Sequence, residues 1–392
     1  RAANMSVHSD EADSFREWAD AGAATYLPRR DYANYLRDQL ESAEDQRGVT
    51  VHHVHEFVAR IDRSGKGFIV HGESETAWPV DVVILATGNE APTLPPSVVV
   101  GAGAESYVDL NPWGVAVGNR GRTLVLGSGL TAIDICLTTL SRDPNATVRL
   151  VSRQGLLPQV HDYPWKPPFS TPLFTDSDFA RGMSLTQALR AIRATGEDWR
   201  CAMDSLRPVS QAIWLTLTSQ QRDQFTRHLS RFWDVHRHRM APFVGRQVAE
   251  WQREGRLTVV KADVTSIRST GEELIVRDRS GRCWSADRVA IATGPNSACD
   301  RNRLLARLRD SGLVRSGPLG IGIDLEPATH KVIDAAGTVS PSMYVIGSPT
   351  KGVLFESTAM PDIRNSATAI AESIRDRLVT AGRSDSITAA TA

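Results

Sequence analysis

Gly127-Ser-Gly129-Leu-Thr-Ala132 is the stretch of this sequence whose chemistry is most definite, because it fits the pattern G-x-G-x-x-A. In such a stretch the first glycine makes a tight turn and the second lets backbone approach a pyrophosphate. The small third residue lets the following helix pack close to its strand. Phosphates then rest on the N–H groups that open the helix, so Gly127, Ser128, Gly129, Leu130 and Thr131 are candidate cradle residues. The flanks agree with this reading. Thr123–Leu126 reads as a strand and Thr131–Leu140 as a helix with Ile133, Leu137 and Leu140 facing one way. Thr147–Val151 reads as the next strand. Strand, glycine turn, helix and strand make the βαβ unit of a dinucleotide-binding fold. A merely structural turn is the alternative, and the full context weighs against it.

The end of the second strand chooses the nucleotide. An NAD site places Asp or Glu there, about 20 residues on, to hold the ribose 2′-hydroxyl. Here the chain reads Val148-Arg-Leu-Val-Ser152-Arg153. An arginine can pair with a 2′-phosphate through two parallel hydrogen bonds, and no carboxylate stands beside it. Ser152 and Arg153 therefore favour NADP over NAD; a solvated surface arginine is the alternative.

Two further strand ends share the letters Ala-Thr-Gly. Ala86-Thr87-Gly88 closes the apolar run Asp81–Gly88, and Ala292-Thr293-Gly294 closes Arg288–Thr293. One precedes and one follows the glycine-turn unit, and Thr87, Gly88, Thr293 and Gly294 are candidate cofactor contacts.

Other clusters read less sharply. His236 and His238 in His236-Arg-His-Arg239 are two residues apart and fall on different faces of a helix, which argues against joint metal binding. A substrate or NADPH contact and a satisfied structural network both remain open for this run. His52, His53 and His55 lie in a strand-like run and read as surface or structural groups. Trp18, Trp165, Trp199, Trp233 and Trp251 have no spacing of their own, and core packing is their default. Cys136, Cys201, Cys283 and Cys299 form no C-x-x-C pair, so neither a disulfide framework nor a dithiol site is expected.

The elements that must position these residues follow from periodicity and breakers. Ser9 or Asp10 can cap a short helix bearing Phe15, Trp18 and Ala19, and a second helix is expected over about 31–43. Strands are expected at Val49–Val54, Phe57–Ile61, Gly67–His71 and Asp81–Gly88, the last read as fully buried because it is apolar throughout. Pro158, Pro164, Pro167, Pro168 and Pro172 mark a stretch without regular structure, and a helix-rich insert follows over about 176–254. Strands resume at Leu257–Lys261, Val264–Ile267, Leu274–Arg277, Arg288–Thr293 and Met343–Gly347. A closing helix spans Pro361–Leu378, and a disordered tail is expected from about Ala381.

A chain of 392 residues holds two or three domains. With 45 basic and 45 acidic residues it has no net charge to draw it to nucleic acid or a membrane. No apolar run approaches the roughly 18 residues of a membrane span. The expectation is a cytoplasmic protein acting on a small molecule.

Several long segments carry a resemblance to one family. Asn4-Met-Ser6 with Phe15-Arg-Glu-Trp18, Leu27-Pro-Arg-Arg30, Val83-Ile-Leu-Ala-Thr-Gly-Asn89 and the glycine segment Leu124–Asp134 all contribute. The two most specific are Trp233-Asp-Val-His-Arg-His-Arg-Met-Ala-Pro242 and Gly352-Val-Leu-Phe-Glu-Ser-Thr-Ala-Met-Pro-Asp-Ile-Arg364. With these the whole chain resembles the FAD/NAD(P)-binding flavoproteins related to FAD-dependent urate hydroxylase-like proteins, and more distantly the flavin-containing monooxygenases.

The resemblance implies an α/β flavoprotein with two Rossmann-like dinucleotide domains, the nicotinamide domain inserted into the FAD domain. The implied division is 1–110 and 291–380 for FAD, 111–290 for NADP, and 381–392 as tail. Arg29 or Arg30, Gly347, Thr350, Lys351 and Gly352 are the implied FAD contacts, and the helix opening at Met360 and Pro361 points its positive end at the flavin. No G-x-G-x-x-G precedes Gly127, and the sequence opens on Arg1. The expectation is a fragment whose FAD domain is truncated before its glycine turn and which retains little FAD. The implied activity is NADPH-dependent hydroxylation of a small organic substrate. A flavin-dependent reductase or oxidase without oxygen insertion is one alternative, and a non-catalytic NADP-binding remnant the other. Such chemistry belongs to the cofactors, and no side-chain nucleophile or acid–base pair stands out.

Overall fold

The computed structural model describes residues 5–8, 11, 13–22, 25–109, 121–162, 198–295 and 298–390, with isolated positions between 175 and 196. Ser9, Asp10, Trp165 and the proline stretch from Pro164 to Pro172 lie outside the described residues. The chain divides into two units. The first comprises Arg1–Asn89, Ser210–Ser219 and Ser297–Ala392, and the second Glu90–Val209 and Gln220–Asn296.

The second unit is built on a five-stranded, wholly parallel sheet. In order across the sheet the strands are Val108–Asp109, Arg288–Ile291, Arg122–Leu126, Thr147–Ser152 and Leu257–Lys261. Successive side chains alternate between two cores. Val125, Val148, Leu150 and Leu257 pack with Ile133, Cys136 and Leu140 of the helix Leu130–Arg142 and with Trp251 of the helix Pro242–Arg253. Leu124, Leu126, Val151, Val289 and Ile291 pack on the other face with Ile267, Leu274 and Val276. Those belong to a second sheet, Cys283–Ala286, Leu274–Asp278, Val264–Ser269 and Val99–Val100. Burial on both faces explains why the parallel strands read as continuous apolar runs.

The unit begins at Glu90 rather than at 111. Two-residue strands cause the shift: Val99–Val100 pairs with Ser266 and Ile267, and Val108–Asp109 with Val289 and Ala290. Arg288 also bridges to Asp109 at 2.5 Å. The unit closes at Asn296, so the Ala292–Gly294 strand end lies in it and not in the first unit. Within 176–254 the described helices include Trp199–Leu206, Ser210–Thr216, Ser219–Gln224, Ser230–Arg237 and Pro242–Arg253. One piece, the helix Ser210–Thr216, falls in the first unit.

The first unit holds an antiparallel meander, Val58–Ser64, Gly67–Gly72 and Ala77–Val80. A small sheet pairs Lys331–Ile333 antiparallel and Val83–Leu85 parallel to Val339–Val345. Its aromatic corner is set by Tyr35 on the helix Arg29–Arg47. The Tyr35 ring is fully buried, its hydroxyl accepts the Val7 N–H at 3.2 Å, and it shares a 2.7 Å hydrogen bond with Ser14 Oγ. Phe15, on the helix Ser14–Trp18, meets Tyr32 edge-on at 4.9 Å. Arg364 of the closing helix donates to the carbonyls of Ser6 and His8.

Three expectations need correction. Asp81–Gly88 yields only a three-residue strand, Val83–Leu85, paired along one edge among the described residues; Val83 and Leu85 are buried while Ile84 is 47% exposed. An unbroken apolar run does not by itself show burial on two faces. Val49–Val54 forms no strand, because no described segment pairs with it, and its valines are exposed. The closing helix runs Met360–Ala390, past the expected limit at Leu378 and through the tail assigned to disorder. That tail is rich in alanine and free of proline, so an established helix propagates into it.

One buried base makes the first unit sensitive to acid. His330 is 5% exposed, and desolvation holds its imidazole below the ordinary value. The folded chain keeps this ring neutral, whereas the unfolded chain takes up a proton below about pH 6.5. Its contribution is therefore present above that pH and is lost as pH falls through it. Urea midpoints measured at pH 7.5 and 5.5 should differ less in His330→Asn than in the parent. Asparagine tolerates the φ of +60° found here. Equal differences in the two proteins would contradict this assignment.

Candidate functional site

The five parallel strands end along one edge, and the chemistry-bearing residues fall there in order. From Arg122–Leu126 the chain passes to Thr147–Ser152 and Leu257–Lys261 on one side, then returns to Arg288–Ile291 on the other. The reversal lies between Leu126 and Ile291. Open α/β sheets bind ligands outside the carboxyl ends of their strands at such a switch point. Gly127 and Ala292 are the residues that follow those two strands.

The two glycines of the turn do different work. Gly127 has φ of +122°, and a Cβ there would stand 2.1 Å from the Ala292 carbonyl oxygen. Its N–H donates to Val151 O at 2.8 Å, while the Ala292 N–H donates to Leu126 O at 2.7 Å. Gly127 is thus required by the fold, and its reason includes the second Ala-Thr-Gly segment, which spacing alone does not reveal. Gly129 has an ordinary φ of −79° and opens the helix Leu130–Arg142, yet a Cβ there would meet no atom within 4 Å. Nothing in the fold requires glycine at 129. The helix it opens has no side-chain cap and no acidic residue in its first turn, so the N–H groups at Leu130 and Thr131 are suited to an anion. The other end is closed by Arg256, which donates to the carbonyls of Leu140 and Asp143 at 2.7 Å.

Ser128 and Ser152 bind each other. Ser128 Oγ donates to Leu156 O at 2.6 Å and lies 2.8 Å from Ser152 Oγ, which in turn accepts the Gly155 N–H at 3.0 Å. A hydroxyl has one proton, so Ser128 donates to one of these two acceptors at a time, Leu156 O or Ser152 Oγ. These serines fix the turn after the second strand. Arg153 stands on that turn, exposed, with no hydrogen bond or ion pair among the described residues. Thr293 Oγ1 is satisfied by Thr93 O at 2.9 Å.

In the first unit Thr87, of the matching Ala-Thr-Gly end, behaves differently. Its Oγ1 is buried and has no hydrogen-bond partner among the described residues. Ser357 Oγ, in the segment before Met360, is in the same condition. Neighbouring strand ends carry Gly88 and Gly347, linked by the Ile346 N–H donating to Leu85 O at 3.0 Å. A Cβ on either glycine would meet no atom within 4 Å. The unpaired buried hydroxyl of Thr87, next to the open Gly88, fits a polar group such as the flavin end of FAD. Thr350 is buried and donates to Gly347 O at 2.8 Å, shaping the turn. Gly352 is fixed by the approach of Ile321 O, 2.1 Å from where its Cβ would stand, and Lys351 is exposed. Arg29 is exposed at the start of its helix, and Met360 and Pro361 open the closing helix half-buried.

Sequence reasoning missed the clamp on this loop. Gln211 accepts the Phe355 N–H at 3.0 Å and donates to Val353 O at 3.4 Å, while Trp214 stacks on Phe355 at 4.7 Å. No sequence signal joins residues some 140 positions apart.

The His236–Arg239 run is a packing network. His236 Nδ1 donates to Phe232 O at 2.7 Å and its ring meets Trp199 edge-on. Arg239, buried, pairs with Asp204 and lies over the same indole. The cysteines are all free. Burial pushes the Cys136 thiol up to about 12 and raises that of Cys299. Neither supplies a thiolate at neutral pH. A cleft of about 620 Å³ lined by Leu137, Phe243 and Arg246 sits at the far end of the Leu130–Arg142 helix from the glycine turn, and it takes no part in this site.

The FAD-NAD(P)-binding family matches residues 1–90. No protein of curated function matches the sequence. Among solved structures the chain is similar to the ornithine N-hydroxylase of Kutzneria sp. 744. That likeness has a TM-score of 0.61 and 17% identity, and covers 96% of this chain and 84% of that one. It is similar to the L-lysine 6-monooxygenase of Pseudomonas syringae at 0.60 and 18%, over 95% and 82% of the two chains. The bacillithiol disulfide reductase of Staphylococcus aureus follows at 0.50 and 12%, over 95% and 82%. At such identities the likeness establishes the fold, which is the Rossmann-like two-domain fold of flavoprotein monooxygenases. No described helix is long and apolar enough to cross a membrane.

Proposed function

We propose that the chain is an FAD- and NADPH-dependent monooxygenase that hydroxylates a small organic substrate. The observation that carries this reading is the Gly127–Thr131 turn at the switch point of a parallel sheet, in a chain with the fold of amine hydroxylases. The finer relation to FAD-dependent urate hydroxylase-like proteins rests on the long segments Trp233–Pro242 and Gly352–Arg364. Because similar structures include an ornithine N-hydroxylase and a lysine 6-monooxygenase, small amines are the first substrate class to test. A cytoplasmic setting accords with four free cysteines.

When bound, the nicotinamide supplies hydride and the flavin supplies oxygen activation. The protein's part is to hold and orient. Gly129, Leu130 and Thr131 would present backbone to the pyrophosphate, and Arg153 would pair with the 2′-phosphate. Thr87, Gly88, Gly347 and Ser357 would hold the flavin end, Gln211 keeps the Val353–Phe355 loop in place, and the Met360 helix end would favour negative charge on the cofactor.

Replacing Arg153 by Ala should weaken NADPH by about 1–3 kcal/mol, as for a charge-assisted hydrogen bond, and leave NADH unchanged. Equal affinity of the parent for the two nucleotides would contradict the NADP assignment. The activity itself is tested by comparing NADPH oxidation with hydroxylated product for lysine, ornithine and other small amines. Product in proportion to NADPH supports the monooxygenase. Reduction of a disulfide without oxygen uptake favours the reductase reading, which the fold of the bacillithiol disulfide reductase keeps in view.

A further inference from the structure

The edge that holds the glycine turn carries a second cation that the reading above leaves unused. Lys261 ends the strand Leu257–Lys261, and in the parallel ladder it lies directly beside Ser152. Adjacent strands stand about 4.8 Å apart, so Lys261 and Arg153 leave the same edge one strand apart. The turn between them is folded onto Lys261. A Cβ on Gly155 would stand 3.1 Å from the Lys261 Cβ, so the Lys261 side chain starts against the Ser152–Gly155 turn that bears Arg153. The serine network described above fixes that turn, and the Ala262 N–H donates to Ser152 O at 3.0 Å, holding the two strand ends together.

The local charge is set for an anion. Lys261 is exposed and has no ion pair or side-chain hydrogen bond among the described residues, and the same is true of Arg153. Asp263, two residues beyond Lys261, is engaged with Arg279 at 2.8 Å, and Asp278 of the second sheet with Arg282 at 2.7 Å. Arg282, neutralised by Asp278, also donates to the Lys261 carbonyl at 2.9 Å and so holds the end of that strand. Two uncommitted cations on adjacent strand ends, one a planar fork and one a mobile ammonium, can share the three oxygens of a phosphate monoester.

We propose that Lys261 is a specificity-determining residue which, with Arg153, selects the 2′-phosphate of the dinucleotide. This rests on the NADP reading of the Gly127 site, and the experiment separates the two. Adenosine 2′,5′-bisphosphate and 5′-AMP differ only in the 2′-phosphate. Their dissociation constants are measured by calorimetry for the full chain and for Lys261→Ala, Lys261→Arg and Arg153→Ala. The parent should prefer the bisphosphate. Lys261→Ala should lose about 10-fold in that preference, the worth of one charge-assisted hydrogen bond, with 5′-AMP unchanged. Lys261→Arg should keep most of the preference, and raising the salt should shrink the parent's preference more than that of Lys261→Ala. If the parent prefers the bisphosphate and Lys261→Ala keeps the whole preference, Lys261 plays no part and only this inference falls. If the parent shows no preference, the NADP reading falls and this inference with it.

Discussion

Gly129→Val is expected to abolish NADPH binding while the second unit stays folded. The φ of −79° at Gly129 is ordinary for any amino acid, and a Cβ there meets no atom of the protein within 4 Å. The stability cost should stay within about 1 kcal/mol, since only a helix-capping position changes. The branched side chain would, however, stand where backbone must come close to a pyrophosphate at the opening of an uncapped helix. A loss on the order of 100-fold in NADPH affinity, about 2.7 kcal/mol, is the expected result. Fluorescence titration of the mutant, with its thermal midpoint as control, measures both. Unchanged affinity in a folded mutant would show that the turn carries no nucleotide.

Gly127→Val, two residues away, should do the opposite and damage the fold itself. Here φ is +122°, and the Cβ would fall 2.1 Å from the carbonyl oxygen of Ala292. Relief requires moving the backbone of one central strand end away from another. Strain and overpacking together should cost roughly 2–6 kcal/mol. Urea unfolding of the parent, Gly127→Val and Gly129→Val places the three in order. A Gly127 variant as stable as the parent would mean that the close approach to Ala292 is not present in the protein. The pair separates two physical roles within the six-residue pattern Gly127–Ala132, one for packing and one for ligand approach.

The part of the molecule legible in the sequence is the part whose structure is local. The βαβ unit from Arg122 to Ser152 depends on contacts within about thirty residues, and its strand, turn and helix stand within one or two positions of expectation. Two of the divisions between the units fall at Asn89 and Asn296, shortly after Gly88 and Gly294, while Ser210–Ser219 crosses back with no such signal. What escaped depends on distant partners. Val99–Val100 and Val108–Asp109 are too short to announce themselves, yet their pairing moves residues 90–110 into the second unit. Gln211 reaches Val353 and Phe355 across about 140 residues. Val49–Val54 has strand-forming side chains, but a strand exists only through a ladder, and no described segment provides one.

Candidate contacts were legible as residue types rather than as roles. Ser128 and Ser152 are candidate ligand groups by residue type, and the structure adds that their hydroxyls meet each other and fix the turn. Thr293 is satisfied by Thr93, whereas Thr87, in the same three-letter context, is buried and unpaired. Hydrogen-bond satisfaction is a property of the surroundings, so identical letters gave no means of telling the two threonines apart.

The most direct test of the account is anaerobic mixing of the protein, supplied with excess FAD, with NADPH or NADH, followed through the flavin absorption band. Bleaching by NADPH at concentrations where NADH has little effect is the result predicted, and Gly129→Val should remove it with FAD still bound. A flavin that stays oxidised at saturating NADPH, with both cofactors shown to be bound, would contradict the assignment of this chain as an NADPH-dependent flavoprotein oxidoreductase.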